Sequence, residues 1–228
     1  MNNYDIDLEM VKENGMDIVF IEEQTEEICL TAVGENGMAL QYVENQTNKI
    51  CLEAIRQNPM SLRDVIKQTY IMCLEAVRKK GLALKYVNWD ELNLTKEHIS
   101  ILYREAVNQN AKALKYVKNQ TEEICLIAVK KDGRMIKFIE NQTEGVCMEA
   151  VRNNGLALEY IKEQTPKLCL EAVRQNGLAL NYSQYKTEEI CLEAVKQNGL
   201  ALRYVKKQTD EICLEAVKQN PQALEFVY

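Results

Sequence analysis

Eight cysteines fall on a fixed ruler. Cys29, Cys51, Cys73, Cys125, Cys147, Cys169, Cys191 and Cys213 follow one another at 22 residues, except that Cys73 and Cys125 are 52 apart, which is twice 22 plus 8. Self-similarity at such a period is the signature of a repeat array, in which each unit buries its apolar face only by stacking on its neighbours. The spacing therefore predicts one elongated core and a single tandem-repeat domain over 1–228. Aligning on the cysteine gives ten units, anchored at Asp7, Cys29, Cys51, Cys73, Tyr103, Cys125, Cys147, Cys169, Cys191 and Cys213.

Each unit reads as two helices. The first starts at a recurrent threonine (Thr25, Thr47, Thr69, Thr121, Thr143, Thr165, Thr187, Thr209), often followed by acidic residues. A threonine hydroxyl accepts an orphan backbone N–H, and carboxylates favour the positive end of the helix dipole. Pro166, directly after Thr165, suits a first helical position. Apolar residues then cover several sides of the helix, as in Ile190-Cys191-Leu192 and Ala194-Val195. Such a helix is buried between neighbours.

The corner that follows has two readings. Asn-Gly recurs at residues 14, 36, 154, 176 and 198, which suggests a left-handed glycine cap. Asn58-Pro59, Asn110-Ala111 and Asn220-Pro221 occupy the same place, and proline cannot be left-handed. The preferred reading makes the Asn the N-cap of a second, short helix. Its aromatic recurs at Phe20, Tyr42, Tyr86, Tyr116, Phe138, Tyr160, Tyr182, Tyr204 and Phe226. That ladder is read as core or a half-buried stripe, with a ligand-stacking platform as the alternative. At an α-helical rise, the two helices would be roughly 16 and 12 Å long, too short to be stable alone. The fold class expected is all-α, an α-solenoid of ten two-helix repeats.

The phrase Thr-x-Glu-Ile-Cys-Leu-Glu-Ala-Val-x-x-Asn-Gly-x-Ala-Leu-x-Tyr-Val, seen from Thr187 to Val205, resembles a family of short helical repeats catalogued as a domain of unknown function. That family is found in giant-virus, amoeba-associated bacterial and protist proteins. The resemblance extends unit by unit over nearly the whole chain. It implies a helical tandem array with no catalytic residues to carry over.

Composition narrows the function classes. A net charge of -6 argues against a general nucleic-acid binder. No apolar run reaches the roughly 18 residues of a membrane span, and the first residues do not read as a secretory signal. Equivalent positions in stacked helices lie about 8–10 Å apart, beyond the roughly 7 Å that a disulfide tolerates. The thiols are therefore expected to be reduced, in a cytoplasmic setting. Asn45, Asn93, Asn119 and Asn141 begin Asn-x-Thr triplets, three of which are simply the repeat's own turn. One histidine cannot serve eight cysteines as bases, and no Cys-x-x-Cys spacing of a zinc site occurs. No catalytic residue, metal or cofactor is expected, and the chain reads as a non-enzymatic scaffold for a protein or peptide. A purely structural spacer is the rival reading, and a thiol-based metal or redox role is a more distant one.

Candidate binding residues lie where the phrase breaks. An eight-residue insertion near 88–95 brings Trp89, and the unit it opens has Tyr103 and Arg104 at the cysteine and leucine places. Trp and Arg are common interface anchors. The alternative is a surface insertion whose Trp packs back on the array. Asp64 stands where the aromatic should be, and with Pro59 and Ile66 it suggests a shifted or kinked short helix. Tyr185 sits in a turn whose recurrent Gln (24, 46, 68, 120, 142, 164, 208) is replaced by Lys186. Two readings of that Gln ladder are open: it hydrogen-bonds along the turns, or it lies on the outside. Pairs such as Glu53–Arg56, Glu75–Arg78, Glu149–Arg152 and Glu171–Arg174 fit i,i+3 ion pairs. Asp7 in place of Cys reads as a polar cap on the first unit, whereas the last unit lacks one. That end is expected to be covered by end-to-end self-association, by a neighbouring molecule or by further sequence.

Overall fold

A threonine, then in most periods an Asn about halfway through, cut the chain into alternating long and short helices. The computed structural model describes residues 3–228, among which there is no strand. The chain divides into two compact units, one ending at Val117 and one running from Lys118 to Tyr228.

In the first unit the long helices are α1 (Asn3–Glu13), α2 (Glu26–Glu35), α3 (Asn48–Gln57), α4 (Tyr70–Lys79) and α5 (Lys96–Gln109). They alternate with short helices η1 (Gly15–Phe20), η2 (Gly37–Tyr42), η3 (Pro59–Asp64), η4 (Gly81–Tyr86) and η5 (Ala111–Tyr116). The second unit repeats the scheme with α6 (Glu122–Lys131), α7 (Glu144–Asn153), α8 (Pro166–Gln175), α9 (Glu188–Gln197) and α10 (Asp210–Gln219). Its short helices are η6 (Gly133–Phe138), η7 (Gly155–Tyr160), η8 (Gly177–Tyr182), η9 (Gly199–Tyr204) and η10 (Pro221–Phe226). Within each unit every long helix packs on the next long one, and every short helix but the last of each unit lies in the groove between its own long helix and the following one. This is α-solenoid stacking.

The caps follow the sequence. Thr25, Thr47, Thr69, Thr95 and their equivalents accept the N–H three residues on, as Thr187 does from Ile190 at 3.4 Å. The two readings of the corner resolve in favour of the Asn cap. Asn176 closes α8 with its own N–H and accepts the N–H of Leu178 on its side chain at 3.0 Å. No glycine has positive φ among the described residues.

The short helix is not α but 3-10. Six residues between an Asn cap and an extended Val complete more i→i+3 than i→i+4 bonds, so the tighter winding wins. Ala179 N–H to Asn176 and Ser183 N–H to Leu180 are such bonds. A rise near 2.0 Å gives about 12 Å over the six residues.

Glycine at the first position of the short helix has a reason other than φ. A Cβ on Gly177 would stand 2.3 Å from the carbonyl oxygen of Ala194, on the next long helix. The same clash, at 2.2–2.4 Å, holds at Gly15, Gly37, Gly81, Gly133, Gly155 and Gly199. The lack of a side chain lets one pair seat on the next. Pro59 breaks this rule inside the first unit, yet η3 keeps the ordinary length and caps. The expected kink at Asp64 is absent, because proline's φ and missing N–H suit a first helical position.

The core is built from the same places in each pair, for example Leu168, Cys169, Ala172, Val173, Ala179 and Leu180, all at most 3% exposed. All eight cysteines are free thiols, seven buried and Cys213 half-buried. Asp7, within α1, is half-buried and lines a cavity with Phe20, Thr25 and Ile28. At the other end Leu214 and Leu224 are 70% and 66% exposed.

Candidate interaction surface

Of the two readings of the recurrent glutamine, hydrogen bonding along the turns is the one the structure shows, and it staples one pair to the next. Gln164 Nε2 donates to Leu158 O of its own short helix and to Tyr182 O of the next, both at 3.1 Å. Its Oε1 accepts the Gln184 N–H at 2.9 Å and the Cys169 thiol at 3.3 Å. Gln46 and Gln68 repeat all four bonds in the first unit. The amide thus satisfies the orphan carbonyls at two helix ends. A second ladder was not recognised in the sequence. Gln175 Oε1 accepts the Gly155 N–H of the preceding pair, and Gln57, Gln109, Asn153 and Gln197 do the same for Gly37, Gly81, Gly133 and Gly177. The signal available was an amide 20 residues after most of the glycines. Where Pro59 has no N–H to offer, the partner is Lys79, a donor only, which bonds Arg56 O at 2.9 Å.

Arginines also reach across. Arg78, Arg152 and Arg174 pair with Glu105, Glu171 and Glu193 of the next long helix, at 3.5, 2.9 and 3.0 Å, instead of with the glutamate three residues earlier. Side-by-side stacking brings that carboxylate closer than the helix's own. Only Arg56, on the Pro59 pair, keeps the i,i+3 partner Glu53.

The sequence-derived candidates scatter. Trp89 is half-buried and tilts against buried Tyr103, with ring centroids 5.2 Å apart. The extra turn of α5 stacks His98 on Tyr70 at 4.1 Å. The insertion therefore packs back on the array. Arg104, next to Tyr103, is exposed. Asp64 is held by its neighbour Arg63 at 3.2 Å. Tyr185 belongs to the second unit and is 40% exposed. Its N–H bonds the Ser183 hydroxyl, which donates to the Tyr185 carbonyl. Trp89 and Tyr103 come together, while Asp64 in the same unit takes its ion pair with Arg63.

What does form a continuous feature is the aromatic of each short helix. In the second unit Phe138, Tyr160, Tyr182, Tyr204 and Phe226 are all half-buried, one per pair without a break. Cations sit between successive rings. Lys137 Nζ is 4.9 Å from the Phe138 centroid and 5.8 Å from Tyr160. Arg203 lies 5.0 Å from Tyr204 and 5.8 Å from Phe226. In the first unit Asp64 interrupts the stripe between Tyr42 and Tyr86.

Residues 25–68, 121–165, 143–185 and 187–228 match the family described as domain of unknown function DUF4116. The chain belongs to the DUF4116 family. No curated protein and no solved structure matches it. The matched DUF4116 segments contain the Thr cap, the cysteine, the Asn cap and the aromatic.

Proposed function

We propose that this chain is a non-enzymatic interaction module whose aromatic stripe in the second unit receives an extended peptide or a partner's extended segment. The observation that carries the reading is one half-exposed ring per pair, from Phe138 to Phe226, with Lys137 and Arg203 between rings. Aromatic and arginine side chains supply most of the anchoring energy in interfaces, and stacked repeats present such anchors along a line. Stacked helices repeat at about 9 Å. A peptide in polyproline II conformation turns one side chain in three to the same face at about that interval. Five rings would then span about 12 residues.

A selection from a random 12-residue display library tests this. The wild-type chain should enrich sequences with a three-residue periodicity. A Tyr160→Ala/Tyr182→Ala/Tyr204→Ala variant, folded by circular dichroism, should not retain the enriched peptides. Peptides held equally by that variant would place binding elsewhere. If the selection enriches nothing and Trp89→Ala leaves behaviour unchanged, the rival reading of a structural spacer is favoured. The cross-pair glutamine bonds, which stiffen the stack, are the observation that supports that rival.

A further inference from the structure

The turns before α9 and α10 gather three lysines. Lys186 takes the place of the stapling glutamine, and the next turn is Lys206-Lys207, where the equivalent turns carry at most one lysine, as in Ile66-Lys67, Lys118-Asn119 and Lys162-Glu163, or none, as in Glu22-Glu23, Glu44-Asn45 and Glu140-Asn141. Lys186 Nζ still donates to the Tyr204 carbonyl, at 3.3 Å, as a glutamine amide would. An ammonium has no acceptor, so it cannot receive the N–H at 206 or the Cys191 thiol as the amides do in their own pairs. Its remaining donors are free.

Lys186, Lys206 and Lys207 line one cavity of about 400 Å³ together with Glu188, Cys191 and Thr209. None of the three lysines has an ion-pair partner among the described residues, in a chain where carboxylates outnumber cations. Asp210 and Glu211 lie in the first turn of α10 but do not line the cavity. Thr209 Oγ1 accepts the Ile212 N–H, which leaves its own proton to donate. Three ammonium groups against one carboxylate leave positive charge uncompensated, as a phosphomonoester dianion requires. The volume is that of a small-ligand site.

We propose that this cavity binds a phosphate-class oxyanion through Lys186, Lys206 and Lys207, with the Thr209 hydroxyl as a further donor. Burial and the nearby charge of Lys206 both press the Lys186 pKa downward, and the charge of a bound anion would oppose that shift. No ring of the aromatic stripe lines this cavity, although Lys186 bonds the Tyr204 backbone. Its ligand is either a free phosphate compound or a phosphorylated side chain of a partner.

Titration calorimetry with inorganic phosphate, at constant ionic strength, tests the proposal. Wild type should give a saturable heat. Lys186→Gln and the double variant Lys206→Gln/Lys207→Gln should each bind at least about tenfold more weakly. Lys186→Gln installs the residue that the other turns carry, so its loss of binding cannot be assigned to misfolding. The absence of saturable binding in wild type, or equal binding in all three proteins, overturns the site. A phosphoserine peptide compared with its unphosphorylated form and with inorganic phosphate then separates the sources. Tighter binding than inorganic phosphate supports a modified side chain as ligand, and equal binding supports the free anion.

Discussion

One methyl group has opposite consequences at Gly34 and Gly177. Gly34 lies in the last turn of α2 with nothing within 4 Å of a built Cβ. Gly34→Ala should therefore stabilise the chain by about 0.5–1 kcal/mol through helix propensity. Gly177→Ala drives a Cβ into the Ala194 carbonyl and should cost about 1–3 kcal/mol. Urea denaturation of the two variants checks the sign of each. Glycine's recurrence was plain in the sequence, but its cause was not, since the atom it avoids lies 17 residues away on the next helix. The cysteines make a second prediction. Burial pushes the Cys51 thiol up to about 11 and Cys73 to about 12, from an ordinary value of 9.0. In the unfolded chain these thiols lose their protons first. Their contribution is therefore full below about pH 9 and is lost as pH rises through the folded values. Urea midpoints between about pH 8 and 11 should fall more steeply for wild type than for a Cys51→Ala/Cys73→Ala variant. Parallel curves would show that the thiols are not buried as described.

At the scale of the element, the helix ends were legible and the bonds between pairs were only partly so. Thr and Asn cap locally, within three residues, so their roles follow from spacing alone. The winding of the short helix did not follow, because six residues cannot distinguish a period of 3.0 from 3.6. The glutamine ladder was visible as a recurrence, with hydrogen bonding along the turns and an outer position both open, because its partners sit 18 and 20 residues away. Gln164→Ala should cost about 1–3 kcal/mol by leaving carbonyls and an N–H unpaired. Lys186→Gln should add about 1 kcal/mol by restoring the missing acceptor. Thermal melts of both, referenced to wild type, test whether the staple acts as drawn. Equal melting points would mean water replaces the amide without loss. The arginine–glutamate pairs teach the same lesson, and being half-exposed they contribute only about 0.2–1 kcal/mol each.

For the whole molecule, stability is a sum of pair and interface terms, so a pair covered on one side only should open first. Backbone amides of α10 and η10, beside exposed Leu214 and Leu224, should exchange faster than those of α8, whose core is closed on both sides. Hydrogen exchange followed by mass spectrometry reads this directly, and uniform protection would indicate that something covers the α10 face. Of the interaction surface, the sequence supplied the aromatic recurrence but gave weight to Trp89, Asp64 and Tyr185, which the fold distributes among separate neighbours. By itself the sequence determined the period, the helix boundaries, the all-helical class and the burial of the thiols, since each depends on contacts within one unit or on a repeating pattern of polarity. Tertiary structure alone decided which glutamine meets which carbonyl, why glycine is required, and where three lysines converge on one cavity. Those outcomes depend on the offset between consecutive pairs, a distance that no single repeat encodes.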